Sequence, residues 1–293
     1  LTNTIKQSFH NYNMPTPSET PPNGLSIVVP VLNEAGNITT LLKRIHASVA
    51  STKLKYEVIM IDDHSTDGTK EEIQKNIKKY PVRYFEKQGS KGKAQSLMEG
   101  FAHAKYEIIC MIDSDLQYPP EALPEMLAKM KDGYDVVVTH RKEKHTSAIR
   151  KMTSNSFNFV FCRLLHDLPY DVQSGLKIFR KEIIERIDIK PLSWSFDLEF
   201  LVAARSAGYY ISSVDIVFNK RENGASKVDL LWTSMQIGLS AILLKLQPEK
   251  IIPFHHAKQK LIGQGFHYKN KEFVHFSDLH AHESAVVTFF AHQ

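Results

Sequence analysis

Between Leu25 and Thr139 the chain alternates short, nearly continuous apolar runs with longer stretches whose apolar residues recur every three to four positions. The runs of four to eight residues predict buried strands, and the three-to-four spacing predicts amphipathic helices. In order, the pattern gives strand Ser26–Val31, helix Asn37–Val49, strand Tyr56–Ile61, helix Asp67–Lys79 and strand Val82–Glu86. Helix Lys93–Ala104, strand Glu107–Ile112, helix Pro120–Met130 and strand Asp135–Thr139 follow. Regular strand–helix alternation predicts an α/β fold with a mostly parallel central sheet flanked by helices on both faces.

Beyond His140 the texture changes to the basic stretch Arg141–His145, and then to an amphipathic helix near Ile149–Leu165. A strand at Gly175–Phe179, a helix over Asp197–Ala207, a strand at Tyr210–Phe218 and a polar loop Asn219–Val228 complete this half. The expected organisation is a polar tail over 1–24 and a main domain over 25–228, divided into halves 25–140 and 141–228. An amphipathic helix follows over 229–247, and then a His-rich extension over 248–293. On that helix Asp229, Thr233, Gln236 and Ser240 form a narrow polar stripe opposite a wide apolar face. Such a face packs on the domain or lies in a membrane interface. In the extension, His280 and His282 would share one side of a strand, but no further ligand set accompanies them.

Composition narrows the classes. The chain has 293 residues, of which 42% are hydrophobic and 24% charged, with a formal charge of +5. That balance fits a globular domain, and it does not call for a nucleic acid partner. Cys110 and Cys162 sit in apolar stretches without metal-ligand spacing and are expected as buried free thiols of a reducing compartment. No apolar run reaches the roughly 20 residues that a membrane-spanning helix needs.

The candidate chemistry lies just after the predicted strands. In M-I-D-S-D-L-Q-Y-P-P, Asp113 and Asp115 are spaced so that, on extended backbone, both carboxylates face one side. They can share one hard divalent cation, with Gln117 as a third oxygen ligand. S-I-V-V-P-V-L-N-E and V-I-M-I-D-D-H-S-T-D-G-T place Glu34, Asp62 and Asp63 likewise after strands, where carboxylates can bind ribose or base, or simply cap the next helix. Asp67 reads as a cap.

With D-V-Q-S-G-L-K-I-F and the loop R-E-N-G-A-S-K, these segments resemble, in order and spacing, the family 2 inverting glycosyltransferases of the GT-A fold. The likeness is strongest to the dolichyl-phosphate mannose synthase-like polyprenyl-phosphate glycosyltransferases and covers roughly Leu25–Leu246. The resemblance implies a nucleoside pocket lined by Pro30, Glu34, Asp62, Asp63, Lys93 and Ser114. It implies Mg²⁺ or Mn²⁺ held by Asp113, Asp115 and Gln117, with Arg141, Arg150 and Ser154 handling phosphate. Asp171 and Gln173 would stand near the transferred sugar, with Arg221, Gly224, Ser226 and Lys227 on a closing loop. The implied reaction is transfer from a GDP- or UDP-sugar to an undecaprenyl- or dolichyl-type phosphate. It would take place at the cytoplasmic face of a membrane, reached peripherally or through a membrane partner. A saccharide hydroxyl acceptor would instead need a general base, for which Asp171, Asp197 and Glu199 are candidates. A catalytically silent nucleotide-sugar-binding module is the remaining alternative. Two departures stand out: Leu32 replaces a Tyr frequent in relatives, and the transmembrane helices of many bacterial relatives have no counterpart here.

Overall fold

The computed structural model describes residues 23–142, 170–187 and 196–219, together with Gly238, Ile242 and the backbone of 266–269 and 272–275. Strands β1 (Gly24–Val31), β2 (Lys55–Asp62), β3 (Val82–Glu86) and β4 (Ile108–Ile112) alternate with helices α1 (Ala35–Ala50), α2 (Thr69–Ile77) and α3 (Lys93–Ala102). A 3₁₀ turn at Pro120–Ala122 leads into α4 (Leu123–Lys131), then β5 (Val136–Lys142), β6 (Leu176–Arg180), α5 (Lys181–Arg186), α6 (Phe196–Ser206) and β7 (Ile211–Val217). These seven strands make one sheet of order β3-β2-β1-β4-β6-β5-β7. Only β6 runs against its neighbours, β4 and β5. The remaining pairings are parallel, so the expected mixed α/β architecture with a mostly parallel sheet is present.

The apolar runs are continuous because both faces of the sheet are covered. Successive residues enter opposite cores: Leu25, Ile27, Val29 and Val31 pack with α1 and α4, while Val28 packs with α3 and α6. Gly100 lets α3 lie directly on β1, since a Cβ there would stand 2.3 Å from Val28 Cγ1. Cys110 is a buried free thiol, as expected, and burial pushes its pKa up.

Several boundaries move. β5 continues through His140–Lys142 because β7 pairs with it as far as Lys142 opposite Val217, so Arg141 is a strand residue and the expected division at 140 falls inside β5. The Pro-Pro start gives a 3₁₀ turn before α4 rather than an immediate α-helix. Gly24, assigned to the tail, is the buried first residue of β1. α2 begins at Thr69 with Gly68 as its N-cap, while Asp67 accepts the backbone N–H of both Thr69 and Ala35 and so ties the starts of α2 and α1 together. An antiparallel pair, β8 (Phe266–Lys269) with β9 (Glu272–His275), lies in the C-terminal extension. The helix expected over 149–165, the tail over 1–22, Cys162, His280 and His282 lie outside the described residues, as does the helix expected over 229–246 apart from Gly238 and Ile242, both helical. Among the described residues, no helix is long and apolar enough to cross a membrane.

Gly100→Ala is expected to lower stability by about 1–3 kcal/mol through overpacking against β1, although the same change in an ordinary helix interior stabilises by about 0.5–1 kcal/mol. Urea midpoints of Gly100→Ala alone and with Val28→Ala check this, with part of the loss recovered in the double variant.

Candidate active site

The parallel register places the carboxyl ends of β1, β2 and β4 side by side, with Val31 opposite Asp62 and Met111 opposite Val28. β6 starts at the same edge, because its reversed direction sets Leu176 opposite Ile112. The D-S-D turn, the loop before β6 and the end of β7 therefore meet above one edge of the sheet. Ligands of open α/β sheets bind at such an edge.

The turn after β4 is held from three sides. Ser114 Oγ donates to Pro30 O at 3.2 Å, and Asp115 Oδ1 accepts the Gln117 amide at 3.1 Å. Gln117 and Asn219 exchange hydrogen bonds, with Gln117 Nε2 donating to Asn219 O at 3.3 Å and Asn219 N to Gln117 O at 3.0 Å. The two aspartates sit in a turn just past β4 rather than on the extended backbone expected of them, and directly after Asp115 the chain passes through Leu116 at φ 63°. Gly175 packs directly against Asp113: a Cβ there would lie 2.2 Å from Asp113 Oδ2 and 2.7 Å from Tyr118 Cε2. Tyr118 OH in turn donates to Gln173 O at 3.4 Å, tying the loop before β6 to the D-S-D turn.

Cations from three different elements meet these carboxylates. Lys93, first residue of α3, places Nζ 2.5 Å from Asp113 Oδ1. Arg141 on β5 grips Asp171 through two bonds, Nε to Oδ2 at 2.5 Å and a terminal nitrogen to Oδ1 at 2.9 Å, with its guanidinium 5.3 Å from the Phe218 ring centre. Lys177 on β6 is fully buried, with Nζ 2.5 Å from Asp197 Oδ1 and bonded to Ser174 O. Thr139 and Ser174 close a hydroxyl pair beside it. Burial pushes the Asp113 carboxyl above the usual carboxylate range, against the pull of Lys93 and with reinforcement from Asp115 and Asp197. Burial alone would lower Lys93, but Asp113 and Asp197 hold it above the ordinary lysine range. In Lys177 burial prevails over Asp197, and its pKa falls.

At the opposite end of the edge, the expected nucleoside residues are engaged by the protein itself. Asp62 accepts from Ser65 N and Oγ and from Tyr84 OH, which makes it the brace of the turn after β2. Asp63 accepts from Lys87 Nζ at 3.1 Å and Gly92 N at 2.9 Å, and Lys87 Nζ also donates to Gly92 O at 2.8 Å. Glu34 caps no backbone N–H of α1 with its side chain, and its Oε2 accepts Asn37 Nδ2 at 2.6 Å. Lys87 and Lys177 were absent from the sequence expectations. For Lys177 the available signal was a lone lysine within an apolar strand; Lys87, after a strand that carries Arg83 and Glu86, offered none. Arg150, Ser154, Arg221, Gly224, Ser226 and Lys227 lie outside the described residues.

Asp113, Asp115 and Gln117 offer only hard oxygen donors. Among the described residues no three His, Cys, Asp or Glu side chains converge on one point, so these residues alone form no complete cage. Two carboxylates with an amide, leaving places for water and phosphate oxygens, suit Mg²⁺ or Mn²⁺. Gly175→Ala should push Asp113 aside and reduce donor-dependent turnover about 100-fold or more, in proportion to misplacement of an ångström or so at a reacting site. Steady-state kinetics beside a thermal melt check this, with activity falling far more than stability.

Comparison with known proteins agrees with this geometry. The model of the family described as Glycosyl transferase family 2 matches residues 26–188, more than half of the 293-residue chain. The dolichol-phosphate mannosyltransferase of Pyrococcus furiosus is 29% identical over 212 residues, covering 70% of this chain and 59% of that protein. The undecaprenyl-phosphate 4-deoxy-4-formamido-L-arabinose transferase of Klebsiella pneumoniae is 32% identical over 171 residues, covering 55% and 50%. The chain thus spans half to three-fifths of the length of these relatives. Among solved structures, glucosyl-3-phosphoglycerate synthase from Mycobacterium tuberculosis aligns with a TM-score of 0.61 at 19% identity, over 76% of this chain and 80% of that one. A complex of that enzyme with Mn²⁺, UDP-glucose and phosphoglyceric acid aligns at 0.60 and 18%, over 76% and 79%. By fold, by its strand-end motifs and by this match, the chain belongs to glycosyl transferase family 2.

Proposed function

We propose that this glycosyltransferase moves a sugar, with inversion, from a GDP- or UDP-sugar to a polyprenyl phosphate, in a reaction assisted by Mg²⁺ or Mn²⁺. The relatives named as polyprenyl-phosphate transferases support the acceptor class. The metal complex of the structural neighbour supports the cation. One observation in this chain carries the choice of acceptor. Asp171 and Asp197, two of the carboxylates that might serve as a base, each sit in an ion pair, with Arg141 and with buried Lys177 respectively. Either would have to break its pair before taking a proton. A phosphate acceptor arrives already ionised and needs positioning rather than deprotonation.

In this reading Pro30, Glu34 and Asp63 line the nucleoside end, and Asp113, Asp115 and Gln117 hold the ion. When bound, the ion neutralises charge that grows on the departing diphosphate. Lys93 lies at the start of α3, where helix N–H groups also favour an anion, and it contributes a second cation beside the diphosphate. Arg141 is pre-oriented by its two bonds to Asp171, so its charge is held at the phosphate end without reorganisation. Arg150, Ser154, Arg221, Ser226 and Lys227 would complete the acceptor side, at the cytoplasmic face of a membrane reached peripherally or through a membrane partner.

A panel of GDP- and UDP-sugars offered with a short polyprenyl phosphate, with Mn²⁺ or chelator and mass-spectrometric detection, tests the reading. A chelator-sensitive lipid-phosphate sugar is expected, and Asp115→Ala should reduce it at least 100-fold. Turnover unchanged in that variant would sink the metal role.

The acceptor is tested separately by the double variant Lys177→Met/Asp197→Asn, which removes both charges of the pair together. Transfer to lipid phosphate within about tenfold of wild type is expected. A loss of about 10³-fold or more, in the upper range of general-base contributions, would make Asp197 a base and turn the assignment to a saccharide hydroxyl.

A further inference from the structure

We propose that Lys93 is a built-in counter-cation that keeps Asp113 from a metal ion until the donor's diphosphate arrives, so that metal and nucleotide bind as a coupled pair. The inference rests on the metal-assisted reading above and adds an order of events to it.

Three observations converge. Lys93 Nζ takes Asp113 Oδ1 at 2.5 Å, while the backbone of Gly175 crowds Oδ2 so closely that a Cβ there would be 2.2 Å away. A cation approaching Asp113 therefore meets an ammonium on one oxygen and packed backbone at the other. The backbone of Lys93 is also fixed. Its predecessor Gly92, at φ 132° and ψ 149°, is clamped by the buried Lys87–Asp63 pair through both its N–H and its carbonyl. Only the side chain of Lys93 is left to move, and its four methylenes span the entrance to α3.

The third observation is the charge around Asp113. Asp113 is met by Lys93 and stands close enough to Asp115 and Asp197 to feel both, so Lys93 already occupies the place of a cation among these carboxylates. A divalent ion entering alone would have to displace that ammonium from Asp113 and would strand Lys93 without its partner. A diphosphate entering with the ion supplies a new anionic partner for Lys93 and releases Asp113 to the metal. Each ligand then strengthens the other's binding by the same factor.

The test is Mn²⁺ binding to the full chain, read from the electron paramagnetic resonance signal of free Mn²⁺, with GDP or UDP present or absent. Wild type is expected to bind Mn²⁺ at least tenfold more tightly with nucleotide. Lys93→Met should bind Mn²⁺ at least tenfold more tightly than wild type when nucleotide is absent and should lose most of the nucleotide dependence. Lys93→Gln gives the same readout if the methionine variant folds poorly, and Lys93→Arg should retain the wild-type dependence. Nucleotide-dependent Mn²⁺ binding that neither neutral variant alters, or weaker binding in them, overturns the counter-cation alone. No Mn²⁺ binding by wild type with either nucleotide overturns the metal-assisted reading together with it.

Discussion

Carboxylates crowded at one sheet edge repel one another, and the site is organised around answering that repulsion. At about 4 Å and an effective dielectric near 20, two such charges oppose each other by about 4 kcal/mol, comparable with much of a domain's net stability. Asp113, Asp171 and Asp197 are each met by a cation from a different element: Lys93 from α3, Arg141 from β5 and Lys177 from β6. The reversed direction of β6 makes this possible. It brings Lys177 and the loop carrying Asp171 to the edge where β4 ends. Removing one member of a buried pair costs about 3–5 kcal/mol because the survivor stays charged and unmatched.

The hydrophobic layers make such a cluster affordable. With apolar residues on both faces of the strands and helices over each face, the edge cannot relax by opening. Interiors packed at crystal density hold side chains in place, so distances set at the edge persist. Gly100 and Gly175 mark where that packing is tightest, one where α3 lies on β1 and the other where the backbone meets Asp113.

Much of the fold was legible in the sequence, because strands buried on both faces leave unbroken apolar runs. β1, β2, β3 and β4 could be located to within a residue or two. Strand direction leaves no such mark: L-K-I-F reads alike parallel or antiparallel, so the insertion of β6 between β4 and β5 could be seen only in the structure. The same blindness hid Lys177. In a strand half exposed to water an isolated lysine points to solvent, whereas β6 is central and its lysine is wholly buried. Asp62 and Asp63 were indistinguishable by position, since both follow the expected strand Tyr56–Ile61 immediately, although Asp62 proves to be the last residue of β2. One braces its own turn and the other clamps Gly92. By contrast, the Asp113–Asp115 pair stood out in the sequence because two carboxylates one residue apart at the end of an apolar run are a recognisable spacing whatever surrounds them.

The pairing of Asp197 with Lys177 bears most directly on what the acceptor can be. The structural neighbours share the sheet at 19% identity, so the fold alone sets no acceptor. Acceptor choice must lie in the residues added around β5, β6 and β7. A neutral hydroxyl makes one demand of that region, a carboxylate able to receive a proton. An ionised phosphate makes another, fixed positive charge that is not consumed in the reaction. Arg141 and Lys177 pair with Asp171 and Asp197, which is why the second demand is favoured in the proposed reading. The Arg141 guanidinium is partly exposed, and an incoming phosphate could share it with little motion of the protein, whereas Lys177 is wholly buried and acts by holding Asp197. A hydroxyl would first require one of these pairs to be broken in a site whose packing resists it.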